Sequence, residues 1–331
     1  MLSSPLLTIA IPTLNRAYCL RRSLESALAQ TAKDIEIIIS DNGSTDDTAL
    51  VVSSYNDPRL RRFHRSKTIS AAAHGNFLIE QSRGRFFLGL SDDDFLEPCF
   101  AEKVLDFYEN HPNLSFVYTG CWIHYKNIAV PAITGPEIED GADFVYAFYK
   151  NQRNICWCAC TTRLEHLRRI GPIPEGTIFG DMFYWTKIAF LGPVGCINKS
   201  LSNYIFMGDN MSSSVPVPEW ANESKLIANE TFERYCANTK SIFKKYSLRV
   251  KISQFLALSI GNQFAWNALY GKSRLMLVIW ALQMLRFFIT APWALLQVVA
   301  SLILPKKVLY SLIISKAIRL RDLRLKNNLR L

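Results

Sequence analysis

The sequence lacks the two glycine signatures that most often announce a nucleotide site. No Gly-x-Gly-x-x-Gly follows its first apolar run and no Gly-x-x-x-x-Gly-Lys-Ser/Thr occurs anywhere, which disfavours a dinucleotide fold and a P-loop. The eight cysteines show no disulfide-framework spacing, as suits a reducing compartment. Cys156, Cys158 and Cys160 alternate without the gaps or the nearby His/Cys pair that zinc needs. They read as small buried residues on one face of a strand. The opening MLSSPLLTIAIPTLNR has no basic leader and too short an apolar core for a secretory signal. It reads as a first strand, in a chain expected in the cytoplasm. Nor is there a clean spanning segment: residues 275–304 are apolar but interrupted by Gln283, Arg286, Pro292 and Gln297, and an arginine mid-span is costly.

Acidic residues are scarce at the end of the chain. From Lys272 onward eleven Lys/Arg face the single Asp322, which accounts for the whole net charge of +10 and leaves the rest balanced, 27 basic against 27 acidic. A basic patch confined to the most apolar third points to anionic lipid, and the balanced remainder argues against a nucleic-acid partner. With 331 residues, 49% hydrophobic and 20% charged, the chain has material for one large domain or two smaller ones.

Residues 6–11 form a β-rich run closed by Pro12, and a helix follows with Leu20, Leu24, Ala27 and Leu28 on one face. A second strand over 35–39 ends in Ser40-Asp41-Asn42-Gly43-Ser44-Thr45-Asp46-Asp47-Thr48. There Gly43 permits a tight turn, and Ser44 or Thr45 can cap a helix over about 46–55. A weak strand over 60–64, a helix over 71–82 and a buried strand from Phe86 complete the alternation. Such a pattern predicts an open parallel sheet with its ligand at the strands' carboxyl ends. At the last of these ends stand Ser91-Asp92-Asp93-Asp94. Three adjacent carboxylates repel one another, so gathering them at a strand end suits a cation or a polyphosphate–metal complex.

Together Ile11-Pro12-Thr13-Leu14-Asn15-Arg16, the run from Glu36 to Asp46, Gly75-Asn76 with Arg83-Gly84-Arg85, and Leu90-Ser91-Asp92-Asp93-Asp94 resemble the inverting family 2 glycosyltransferases, over about residues 7–213. The resemblance implies an α/β GT-A fold, a mostly parallel sheet flanked by helices. It implies a nucleotide-sugar donor, UDP-sugar favoured, held by Pro12, Thr13, Asn15, Arg16, Asp41, Asn42, Ser44, Asn76, Asp92 and Asp93, with Asp41 accepting from the base ring N–H. It implies Mg²⁺ or Mn²⁺ on the aspartate cluster. The family often carries Asp where Ser91 stands, so the metal pair is either Asp92 with Asp94 or Asp93 with Asp94; the one-residue gap favours Asp92 and Asp94. Gly180-Asp181 matches the family's place for the catalytic base, where Asp181 could equally cap a helix. Burial beside Phe179 and Phe183 is expected to raise its pKa. The segment 201–212 resembles the one in which a His often helps the metal. Here Met207 holds that place, a poor ligand for a hard cation, with Asp209 or Asn210 as substitutes.

Further on, residues 114–125 and 155–162 read as strands. Phe144-Val145-Tyr146-Ala147-Phe148-Tyr149 reads as core in preference to a sugar platform. Helices are expected over 219–238 and 248–270, then two shorter ones meeting at Pro292, then a basic amphipathic helix after Pro305. The expected organisation is a GT-A domain over 1–215 (nucleotide half about 1–100, acceptor half about 101–215), a helical extension over 216–271 and membrane-associating helices over 272–331. The expected activity is transfer of a sugar, with inversion, to a hydroxyl of a polyprenyl-diphosphate-linked saccharide in bacterial surface polysaccharide synthesis, of O-antigen or capsule type. The expected location is the cytoplasmic face of the inner membrane, peripheral or monotopic. The rivals are a catalytically weak membrane-bound assembly or binding subunit and a sugar nucleotidyltransferase, though the latter wants a glycine-rich loop that Thr13-Leu14-Asn15-Arg16-Ala17 does not supply.

Overall fold

The computed structural model describes residues 4–125, 128–178, 180–206, 215–269, 273–284, 292–309, 311, 312, 315 and 319. The chain divides into two compact units: Met1–Ile123 with Ala132–Phe144 and Asn154–Ile205, and His124–Pro131 with Val145–Arg153 and Phe206–Leu331.

The first unit is built on β1 (Leu7–Thr13), β2 (Ile35–Asp41), β3 (Leu60–His64) and β4 (Phe86–Gly89), hydrogen-bonded side by side and parallel in the order β3-β2-β1-β4. β2 is buried along its whole length, as a strand covered on both faces must be. Helices α1 (Ala17–Leu28), α2 (Thr48–Ser53) and α3 (Ala71–Gln81) connect these strands. On α1, Leu20, Leu24 and Ala27 point into the core at the expected spacing. Ser70 caps α3 through its side chain, which accepts from the Ala73 N–H.

Beyond β4 the sheet turns antiparallel, which corrects the expectation of a mostly parallel sheet. After β5 (Phe95–Leu96), α4 (Phe100–Asn110), β6 (Phe116–Tyr125) and α5 (Gly141–Tyr149), the chain continues to β9 (Cys160–Arg163), which runs antiparallel to both β4 and β6, and then to α6 (Leu164–Ile170). β10 (Val194–Phe206) pairs antiparallel with β5 and with the short β8 (Ile138–Glu139). The single strand expected over 155–162 is broken. Trp157–Ala159 form a 3₁₀ turn before β9, because Trp157 folds down onto Gly89, where an added Cβ would lie 2.1 Å from its indole nitrogen. Cys156, Cys158 and Cys160 are buried and free, as expected of packing residues.

The second unit is helical and includes β7 (Ile128–Pro131). Its helices α8 (Val217–Asn238), α9 (Ile242–Leu269), α10 (Arg274–Met284) and α11 (Pro292–Ile303) share a core that includes Val217, Ala257, Phe264, Leu277, Ala294 and Val298. α10 and α11 lie on either side of residues 285–291, so the expected junction at Pro292 lies partly outside the described residues. Gln263 and Asn267 of α9 both donate to the Val215 carbonyl. Among the described residues, no helix is long and apolar enough to cross a membrane.

Candidate active site

The loops at the carboxyl ends of β1, β2 and β4 are stitched into one surface. Parallel pairing sets Thr13 beside Asp41, and each strand then releases its chain on the same side of the sheet. Asn15 adopts a left-handed conformation, φ 54°, which Asn tolerates better than most residues. Its N–H donates to Ser44 Oγ at 2.8 Å, and its Oδ1 accepts from the Thr45 N–H at 2.7 Å. The Ala17 N–H, opening α1, donates to Asp46. Gly43, at φ 86°, makes the β2 turn possible, and an added Cβ there would lie 3.2 Å from the Lys67 backbone. Pro12, Thr13, Asn15, Arg16, Asp41 and Ser44 are thus brought together.

Asp41 is buried. Its Oδ1 accepts from the Ser44 N–H at 2.9 Å, and its Oδ2 faces His64 Nδ1 at 3.0 Å, so the carboxylate is fixed in place before any base could reach it. Asn42 and Asn76 each hold a distant stretch of backbone. Both ends of the Asn42 amide pair with the Ile69 backbone, and both ends of the Asn76 amide with the Ile173 backbone. In this structure both amides clamp loops.

The aspartate run sits between β4 and β5, all three members buried. Arg16 reaches across from the β1 loop, with Nη2 3.0 Å from Asp93 Oδ2 and Nε 3.4 Å from Asp92 Oδ1. Arg22 donates to the Asp93 carbonyl and Ser23 to that of Ser91, which pins the turn to α1. Burial, opposed by Arg16, lifts the Asp92 carboxyl to about 7. Asp94 points the other way: it is wholly buried, and its Oδ1 accepts from the Ile205 N–H of β10 at 2.8 Å. Burial and then the Asp93 charge push its pKa well above the usual carboxylate range, with the Cys158 thiol against it. Asp94 therefore ties the turn to the sheet, while Asp92 and Asp93 face the cation-bearing side.

Hard oxygen donors already paired with a guanidinium fit a divalent cation that takes one or two carboxylates and completes its shell with phosphate and water. Among the described residues, no group of three or more His, Cys, Asp or Glu forms a ligand set. Met207, Asp209 and Asn210 lie outside the described residues.

Asp181 stands in the first turn of α7 (Gly180–Ile188), with its Oδ1 accepting from the adjacent Met182 N–H at 2.7 Å. It is half-buried; Phe183 beside it is buried, and Phe179 lies outside the described residues. The Cys156 thiol, raised first by its hydrogen bond with Cys121 and then by burial, also feels the charges of both Asp94 and Asp181, so the base candidate and the aspartate turn share one neighbourhood. Trp157 connects them physically. Its ring covers Gly89 below the turn and lies 6.4 Å from that of Trp185 on α7. Sequence reasoning missed this tryptophan; only its place in a run of buried cysteines hinted at it.

Residues 8–131 match the family described as Glycosyl transferase family 2. A chondroitin synthase of Escherichia coli is 31% identical over 270 residues, 80% of this chain and 36% of that one. The chain thus spans about a third of that relative. An Escherichia coli UDP-Glc:alpha-D-GlcNAc-diphosphoundecaprenol beta-1,3-glucosyltransferase, WfaP, is 30% identical over 159 residues, 47% of this chain and 59% of that one. In fold, the chain resembles S. aureus TarS 1-349 in complex with UDP, with a TM-score of 0.61 at 16% identity over 98% of this chain and 92% of that one. Order and spacing agree with the family match, and residues 8–131 of the chain are a domain of family 2 of the glycosyltransferases.

Proposed function

We propose that the chain is an inverting glycosyltransferase that moves a sugar from a nucleotide diphosphate donor, a UDP-sugar by preference, to a hydroxyl of a lipid-linked saccharide in bacterial surface polysaccharide synthesis. The observation that carries this reading is the Asp92-Asp93 pair at the end of β4, facing Arg16 from the β1 loop. Such a place favours a diphosphate and its counter-cation. The names of the relatives support a nucleotide-sugar donor, and that of WfaP supports a diphosphoundecaprenol acceptor.

In this reading Asp41 orients the base and the Asn15–Ser44–Thr45 stitch shapes the wall around the nucleoside. Asp92 and Asp93, the two carboxylates that face Arg16, would hold Mg²⁺ or Mn²⁺, while Asp94 turns its Oδ1 to the Ile205 N–H of β10. A bound cation would neutralise the departing diphosphate. Asp181 takes the proton of the acceptor hydroxyl as its oxygen bonds to the anomeric carbon and the bond to diphosphate breaks on the opposite face, which inverts the configuration.

The test is nucleotide diphosphate release from a panel of nucleotide sugars, with and without Mn²⁺ or Mg²⁺, in lipid nanodiscs carrying polyprenyl-linked saccharides. Metal-dependent, acceptor-stimulated release that Asp181→Asn abolishes while donor binding persists is the expected result. Binding without turnover on every donor would overturn it in favour of an assembly subunit.

A further inference from the structure

Helices α10 and α11 are apolar on both sides. Arg274 is the only charged residue of α10, and α11 has none. One face of each is accounted for: Leu277, Ala281 and Met284 on α10, and Ala294 and Val298 on α11, are buried in the helical core. On the opposite face, Leu275, Ile279 and Leu282 recur at i, i+4 and i+7, and Leu296, Val299 and Ile303 at i, i+3 and i+7. These are exposed: Leu275 by 72%, Leu282 by 66%, Leu296 by 69% and Ile303 by 65%. Single exposed leucines need no explanation, but a repeated apolar stripe on each of two helices does.

We infer that this face lies on an anionic lipid surface. Charge selects the occupant. Arg274, Lys306 and Lys307 are exposed beside the stripes, and they belong to the segment with eleven Lys/Arg and one Asp. A second copy would set like charges against each other, whereas an anionic bilayer complements them. At 1.5 Å per residue the described helices run about 17 and 18 Å, and among the described residues no helix is long and apolar enough to cross the roughly 30 Å hydrocarbon core. They therefore lie in the interface with their apolar faces down.

The inference does not depend on the transferase reading, and its test uses no donor or acceptor. The full chain is sedimented with phosphatidylcholine vesicles and with vesicles containing about one third phosphatidylglycerol. The expected result is binding at least tenfold tighter to the anionic vesicles, weakened by salt. Leu282→Glu and Leu296→Glu together should lower it at least tenfold without lowering Tm, and Lys306→Glu with Lys307→Glu should erase the lipid preference. Failure to bind either vesicle, or binding unmoved by both pairs of substitutions, overturns the inference. So does a dimer in lipid-free solution that the leucine substitutions dissociate, since the face would then belong to a second copy.

Discussion

Arg16 Nη2 lies 3.0 Å from Asp93 Oδ2, so the chain's own guanidinium stands where the proposed cation and diphosphate would meet. The residue has two possible partners, the carboxylates before the donor arrives and the diphosphate afterwards. With Arg16 still 20% exposed, solvent screens the pair, which is then worth about 1 kcal/mol, or roughly fivefold in an equilibrium. Arg16→Gln should therefore tighten Mn²⁺ binding to the donor-free protein severalfold and, in the same variant, raise KM for the nucleotide sugar. Calorimetric titration with Mn²⁺ checks the first effect and steady-state release the second. An unchanged Mn²⁺ affinity would show that the guanidinium does not compete for the site.

Asp92 supplies a pH dependence. Its carboxyl is raised to about 7 from the usual 3.8, chiefly by burial, so the folded state holds a proton that the unfolded chain has released. The resulting stability is fully present below about pH 4 and is lost as pH rises towards 7. In chelator-treated protein Asp92→Asn, which cannot ionise, should be more stable than wild type at pH 8 by a few kcal/mol at most, since Arg16 also loses a partner. The difference should vanish near pH 4. Paired thermal melts at the two pH values measure it; a variant less stable at pH 8 would show that the Arg16 pairing outweighs the burial.

The parts of this site legible in the sequence are those fixed by local chemistry. β3 spans Leu60–His64 as expected, the glycine at 43 marks the turn after β2, and the aspartates stand at the end of a buried strand. What escaped are relationships between distant residues. The sheet's change of direction depends on β9 pairing with β4 some 75 residues earlier, and no local period encodes that. The Asn76 amide pairs with a backbone 97 positions away. Asp94 differs from its neighbours only in what β10 brings to it. Motif reading identified the residues, and tertiary contacts divided the labour among them.

Gly89 tests the floor of the site. A Cβ here would stand 2.1 Å from Trp157 Nε1 and 2.2–2.3 Å from two ring carbons, so the indole would have to move, and with it the wall shared with Trp185. Overpacking of this kind typically costs about 1–3 kcal/mol. Gly89→Ala should lower Tm accordingly and reduce turnover more than donor affinity, because the shift propagates towards α7 and Asp181. Denaturant melts together with kcat and KM read both consequences; an alanine variant with wild-type kcat would place the tryptophan contact outside the catalytic geometry.

Asn15 joins conformation to binding in one side chain. Its φ of 54° costs most L-residues roughly 1–2 kcal/mol, a cost that glycine avoids. Its Oδ1 also satisfies the Thr45 N–H and lies 3.3 Å from the Thr45 hydroxyl. Alanine loses both the conformational tolerance and the acceptor, whereas glycine loses only the acceptor. The expected order of stability is wild type, Asn15→Gly, Asn15→Ala, with the two variants separated by about 1 kcal/mol. Donor affinity should fall in both, because the β1 and β2 loops lose the Thr45 part of their stitch whichever residue replaces it. If glycine restored wild-type donor affinity, the hydrogen bonds to Thr45 would be incidental and the left-handed turn alone would shape the pocket.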